Sequence, residues 1–165
     1  MRWIDGSDID IGTMTGEDLC GRLTDDMWEH DRLVWLGCDE PIRTAAFIID
    51  FDTELQMEGI FSFTESETGR YASEIIKAFR CIGDDRDADI LSEICRLAPP
   101  DGMRGELSEK GKALYELSSF NEDHALHEEI SERISELAQE LYLNRDFDGM
   151  WQKLFSYLDE SIQTK

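Results

Sequence analysis

Positive charge is scarce in this chain. Its 165 residues hold 16 lysines and arginines and 3 histidines against 38 aspartates and glutamates, a formal net charge of −22. No basic cluster is present to neutralise phosphates, so direct binding to DNA or RNA is not expected. No apolar run approaches the roughly 18 residues of a membrane span, and no basic stretch followed by an apolar one marks a signal peptide. Cys20, Cys38, Cys81 and Cys95 are widely spaced and form no C-x-x-C pair. That spacing suits reduced thiols in a cytoplasmic protein and argues against a disulfide frame or a zinc site. A glycine-rich phosphate loop, a G-x-S-x-G elbow, an H-E-x-x-H helix and a Cys/His nucleophile signature are all missing. No catalytic residue, metal ligand or cofactor is therefore nominated, and the chain is read as a non-enzyme.

The acids are everywhere. Residues 1–40 carry 11 acids and 3 bases, residues 41–100 carry 12 and 6, and residues 101–165 carry 15 and 7. An acidic tail would concentrate the charge in one block. Here it is interleaved with apolar residues, which places the surplus on the surface of a folded unit. A surface of that sign attracts basic partners over long range. With 41% hydrophobic and 10% aromatic residues the chain has material for a core, and its length suits one domain over residues 1–165.

Helical periodicity dominates, and the predicted class is all-α with about six or seven amphipathic helices. Thr15 and Asp18 form a capping pair ahead of Leu19, Leu23 and Met27, in a helix reaching about His30. Leu33 to Leu36 either extends it or packs in a turn. Asp39 and Pro41 start a helix with Ile42, Ala45, Ala46 and Ile49 inside, ending near Glu58. Residues 59–69 read as a short aromatic element and a loop. Tyr71, Ala72, Ile75, Ile76, Phe79 and Ile82 form the next face, closed by Gly83. Ala88, Leu91, Ile94 and Cys95 mark another helix, stopped by Pro99 and Pro100. Residues 98–105 form a Pro/Gly linker within one domain or between two helical subdomains. C-terminal helices follow over 106–162. Leu107, Leu114 and Leu117 give a weak helix. Asn121 caps a stronger one with the stripe Leu126, Ile130, Ile134, Leu137 and Leu141. The last helix starts near Asp148 and carries Trp151, Leu154, Phe155 and Leu158.

Beside that stripe, Glu129, Glu132, Glu136 and Glu140 recur at steps of three and four. Such carboxylates advance roughly 4.5–6 Å along the helix axis, of the same order as the about 3.4 Å advance of phosphates along a DNA strand. They are candidate partner-binding residues, with Asp25, Asp26 and Glu29 as a second group. The alternative is a solvated face. Asn144 to Gly149 matches four positions of a calcium loop, but Phe155 occupies the twelfth, where a bidentate Glu is needed. Asp8, Asp10 and Gly12 have the glycine misplaced. His124 and His127, near Glu128 and Glu129, lack a third ligand. His30 beside Asp31 supports no specific site. Trp3, Trp28, Trp35 and Trp151 suit a core or a subunit interface, and the first helix is a dimer-contact candidate.

The stretch Glu54 to Phe63, followed by Gly69-Arg70-Tyr71-Ala72 and Ile82-Gly83, resembles the signature of the DNA-mimic-protein family. These are small bacterial all-α domains, most without an assigned function. Glu54, Gly59, Phe63, Gly69, Ala72, Ile82 and Gly83 fall on the pattern without a gap, within a family-like segment over 40–97. Met57 and Glu58 depart from it at an Asn-Gly, Ile60 at a Phe, Thr64 at an aromatic and Ser66-Glu67 at an Asn-Ser. The matching residues read as structural: glycines for a tight turn, aromatics and Ala72 for close helix packing. The resemblance implies an acidic, dimeric surface that occupies a DNA-binding protein's groove. Three readings follow. The first is a non-enzymatic acidic protein competing with DNA for a basic DNA-binding protein. The second is an immunity-type or adaptor module whose acidity serves solubility, and the third is a calcium- or metal-binding protein.

Overall fold

Thr15 and Asp18 close a capping box. The Asp18 N–H donates to Thr15 Oγ1 at 3.1 Å, and the Thr15 N–H donates to Asp18 Oδ2 at 3.0 Å. These bonds satisfy donors that a helix start leaves open, and α1 follows as Gly16–Asp26 with a 3-10 turn over Met27–Glu29. The computed structural model describes residues 1–100 and 124–164, with side chains from residue 127 in the second segment. A single turn, α2 (Arg32–Trp35), is capped by Asp31. The helix α3 (Glu40–Met57) opens with Pro41 in its first turn. Gly59 reverses the chain at φ +82° into α4 (Gly59–Glu65). A 3-10 turn (Thr68–Tyr71) leads to α5 (Ala72–Cys81), then α6 (Asp85–Leu97). The second segment holds α7 (His124–Gln139), α8 (Tyr142–Arg145) and α9 (Phe147–Gln163).

Among the described residues the architecture is all-α, with nine α-helices and no strand. The number exceeds the sequence expectation because α2, α4 and α8 span only 4, 7 and 4 residues, too short for a 3.6-residue period to register. The aromatic element and loop expected over 59–69 are α4 and the 3-10 turn. The weak helix around Leu107, Leu114 and Leu117, the Asn121 cap, the Leu126 side chain and the linker beyond Pro100 lie outside the described residues.

The helix α3 is buried on most sides, and α1, α2, α4, α5 and α9 pack on it. Phe51 at its centre meets Phe63 and Phe79 edge-on, with ring centroids 5.0 and 5.7 Å away. On the far side of α5, α6 carries α7, whose Ile130, Ile134 and Leu137 are buried as the stripe predicts. Helices from both sides of the 98–105 segment thus contribute to one buried cluster.

The acidic surplus is not confined to the surface. Asp50, Asp52, Asp84 and Asp87 are buried, a correction to the sequence expectation. Each has partners, as burial demands. Arg32 clamps Asp50 with two bonds of 2.7 Å. The Tyr142 hydroxyl donates to Asp52 at 2.7 Å, and Gln56 donates to its other oxygen at 2.7 Å. Asp87 accepts from the Tyr142 N–H at 2.9 Å and pairs with Arg145 at 3.2 Å. Asp84 caps α6 and meets Lys153 at 3.3 Å. Burial, reinforced by the neighbouring Asp84 charge, pushes the Asp87 carboxyl up to about 6.

Because the folded value exceeds the ordinary 3.8, stability from Asp87 is complete below about pH 4 and is lost as pH rises towards 6. Urea unfolding of Asp87→Asn should show a shallower fall over that window than the parent. Tyr142→Phe leaves a buried carboxylate oxygen without its donor, and should cost about 1.5–3 kcal/mol in the same measurement.

Candidate functional site

Burying the apolar stripe of α7 against α6 turns the opposite side of α7 to solvent, and Glu129, Glu132 and Glu136 are exposed there. Glu140 is exposed too, but it lies one residue past the end of α7. Its carboxylate meets Arg86 of α6 at 3.7 Å, and its carbonyl accepts from Arg145 Nε at 3.2 Å. Glu136 pairs with Arg133 at 3.2 Å. Glu129 and Glu132 make no ion pair among the described residues. Both counter-charges are themselves about half exposed, so they neutralise the strip only weakly.

The second group divides by role. Asp25 and Glu29 are exposed. Asp26 is committed to the fold, accepting the Trp3 indole N–H at 2.9 Å and meeting Arg22 at 3.5 Å. The neighbours also differ: α1 packs on α3 and α9, whereas α7 packs on α6 and α8. The structure thus carries the two acid groups on separate elements, linked by no hydrogen bond or ion pair among the described residues.

Glu54, Gly59, Phe63, Gly69 and Ala72 gather around α4, whereas Ile82 and Gly83 lie at the far end of α5, where Cys81 meets Glu40 at the start of α3. Glu54 accepts from Ser62 Oγ at 3.3 Å across that turn. Gly59 adopts the left-handed φ that an L side chain resists. Phe63, Ala72 and Ile82 are buried, and Gly83 closes α5. Gly69 is required by proximity, since a Cβ there would collide with the Phe63 carbonyl. Ser66 completes the corner by donating to that carbonyl at 3.1 Å and accepting from the Gly69 N–H at 3.2 Å.

The residues of the calcium-loop pattern do other work. Asp146 caps α9 through the Gly149 N–H at 3.3 Å, and Phe147 stacks on Tyr142. His127 is exposed beside Ser131, and the His124 side chain lies outside the described residues. No group of three or more potential metal ligands occurs among the described residues.

Three features escaped sequence reasoning. The first is a groove of about 390 Å³ between α3 and α5, lined by Glu40, Arg43, Lys77, Arg80 and Cys81 among others. Its charges are largely spent locally: Lys77 on Glu74 at 2.8 Å, and Arg80 on Asp89 and Asp85 at 2.8 and 3.3 Å. Burial pushes the Cys81 thiol up, away from the thiolate. The second is the Arg32–Asp50 clamp. The third is exposed apolar surface at Trp28, Leu33, Val34 and Leu36. The Leu33–Leu36 run was visible in the sequence, but its exposure was not. Of the other tryptophans, Trp3 and Trp35 are core, and Trp151 lies between Phe147, which it meets edge-on, and Phe155, to which it is tilted.

Residues 38–161 match the family described as DMP19-like protein, and the chain belongs to that family. The match leaves aside residues 1–37, which hold Trp28, Leu33, Val34 and Leu36. No curated protein and no solved structure matches the chain.

The crowding at Gly69 sets a test of the signature's structural role. Gly69→Ala should force the α4–α5 corner apart at a cost of about 1–3 kcal/mol, read as a lower thermal midpoint.

Proposed function

We propose that this DMP19-like protein is a non-enzymatic, cytoplasmic interaction protein that competes with DNA for a basic DNA-binding protein. The observation that carries the reading is a helix face of exposed carboxylates with too few cations to neutralise it. Glu129, Glu132, Glu136 and Glu140 sit in a chain of net charge −22. Lysines and arginines that hold phosphates would pair with these carboxylates instead, joined by Asp25 and Glu29, while Asp26 supports the α1 end from within. The net surplus of negative charge would speed the encounter. Membership of the family adds to this reading through the family's name. No described helix is long and apolar enough to cross a membrane. The reading allows a homodimer that presents two such faces.

The test begins with a DNA-binding protein recovered on the immobilised chain and released by duplex DNA. The purified chain should then displace a labelled duplex from that partner in an anisotropy assay. Its affinity should fall steeply between about 50 and 200 mM salt. Replacing Glu129, Glu132, Glu136 and Glu140 with Gln should weaken it on the order of tenfold. Affinity flat in salt, or unchanged in the Gln variant, would favour an adaptor whose acids serve only solubility.

A further inference from the structure

Three exposed apolar residues share one helical turn. Leu33, Val34 and Leu36 are 66%, 44% and 38% exposed, while Trp35 among them is 1% exposed. At about 100° per residue, turning Trp35 inward points Leu33 outward and sets Val34 and Leu36 on either side of it. Trp28, 48% exposed, stands in the 3-10 turn just before.

The segment is held firmly. Arg32 donates to both oxygens of buried Asp50 at 2.7 Å and to Thr68 at 3.0 Å. Its guanidinium also lies 5.5 Å over the Trp35 ring. Asp31 caps the turn by accepting from the Leu33 N–H at 2.8 Å. A backbone fixed in this way loses little freedom on binding.

The surrounding charge selects the occupant. Asp25, Glu29 and Asp31 are exposed beside the apolar residues. Between residues 25 and 36 the sequence has one arginine and no lysine, and that arginine is spent on Asp50; the neighbouring Arg43 of α3 donates to the Leu36 carbonyl at 3.3 Å. A second copy of the chain would bring the same acids and the same −22 to the contact. An acidic membrane would be repelled as well, whereas a basic protein would be drawn in.

We propose that Trp28, Leu33, Val34 and Leu36 anchor a basic protein segment that carries apolar side chains among its lysines and arginines. The inference rests on the reading of the chain as a binder of basic proteins. Carboxylates alone attract any cationic surface, and a central apolar contact ringed by charge supplies preference among such surfaces.

The probe is a helical peptide of lysine and leucine with its leucines on one face, compared with a control of equal charge that has glutamine at each leucine. The leucine peptide should bind at least about tenfold more tightly and shift Trp28 emission to the blue, a shift absent from Trp28→Phe. Leu33→Asp should remove the preference while leaving the thermal midpoint unchanged, because Leu33 packs against little. The Gln variant at Glu129, Glu132, Glu136 and Glu140 should keep it. Equal binding of the two peptides, or a preference that survives Leu33→Asp, overturns the anchor. So does sedimentation showing a parent dimer that Leu33→Asp converts to monomer, which would make a second copy the occupant. Salt-sensitive binding without preference would sink the anchor and leave charge competition standing. Leucine-peptide binding that keeps the preference but is itself insensitive to salt would support the anchor and sink charge competition.

Discussion

Tyr142 is the most deeply buried of the polar links that lock the two described segments together. Its hydroxyl reaches Asp52 of α3 and its backbone N–H reaches Asp87 of α6. Its ring lies 5.8 Å from Phe79 of α5 and 6.4 Å from Phe147 of α9. Five helices therefore depend on one buried side chain and two buried carboxylates. The arrangement is demanding, because a buried carboxylate without donors costs far more than an apolar residue in its place. Any packing of α8 and α9 that misses this register takes one of two donors from Asp52 and both the Tyr142 N–H and Arg145 from Asp87. The polar contacts thus select one docking of the C-terminal helices where an apolar core alone would tolerate several.

The same requirement recurs with the other interior acids. Asp50 is answered by Arg32, Asp84 by Lys153 and Asp87 by Arg145, so three of the 16 basic residues are drawn into serving the core. The exterior keeps correspondingly fewer counter-charges. Several of the remaining cations form short-range pairs on their own helices, such as Lys77 with Glu74 and Arg96 with Glu93, and these contribute little to stability. An acidic surface poor in free cations and an interior rich in paired aspartates are two sides of one distribution. Its consequence is a protein whose outward field attracts basic surfaces, with apolar side chains exposed inside that field at Trp28, Leu33, Val34 and Leu36 and also at Met57 and Phe61.

Much of the helical plan was legible because its signals are local. The Thr15–Asp18 box, Pro41 in the first turn of α3, Gly83 after α5 and the Ile130–Leu137 stripe each act through neighbours within one or two turns. The structure finds them where the residues point. The one-turn helices α2 and α8 were not legible, since four residues cannot display a period. Asp52 and Asp87 read as solvent-facing because an aspartate on a helix ordinarily is. Nothing nearby in sequence announces Tyr142, 90 and 55 residues away. At the candidate site the four glutamates were legible as a strip. The end of α7 before Glu140, the reach of Arg86 and the commitment of Asp26 to Trp3 were not.

The sequence by itself determined the all-α class, most helix starts and stops, and the sign and size of the charge, because capping, periodicity and ionisation are properties of residues and their near neighbours. It also carried the family signature, whose glycines answer to a turn and a close approach. Tertiary structure alone decided which acids are interior, which cations remain outside, and that Leu33 faces water while Trp35 does not. Those outcomes depend on which surfaces meet across long stretches of chain. Burial and desolvation are set by that meeting and not by the residue.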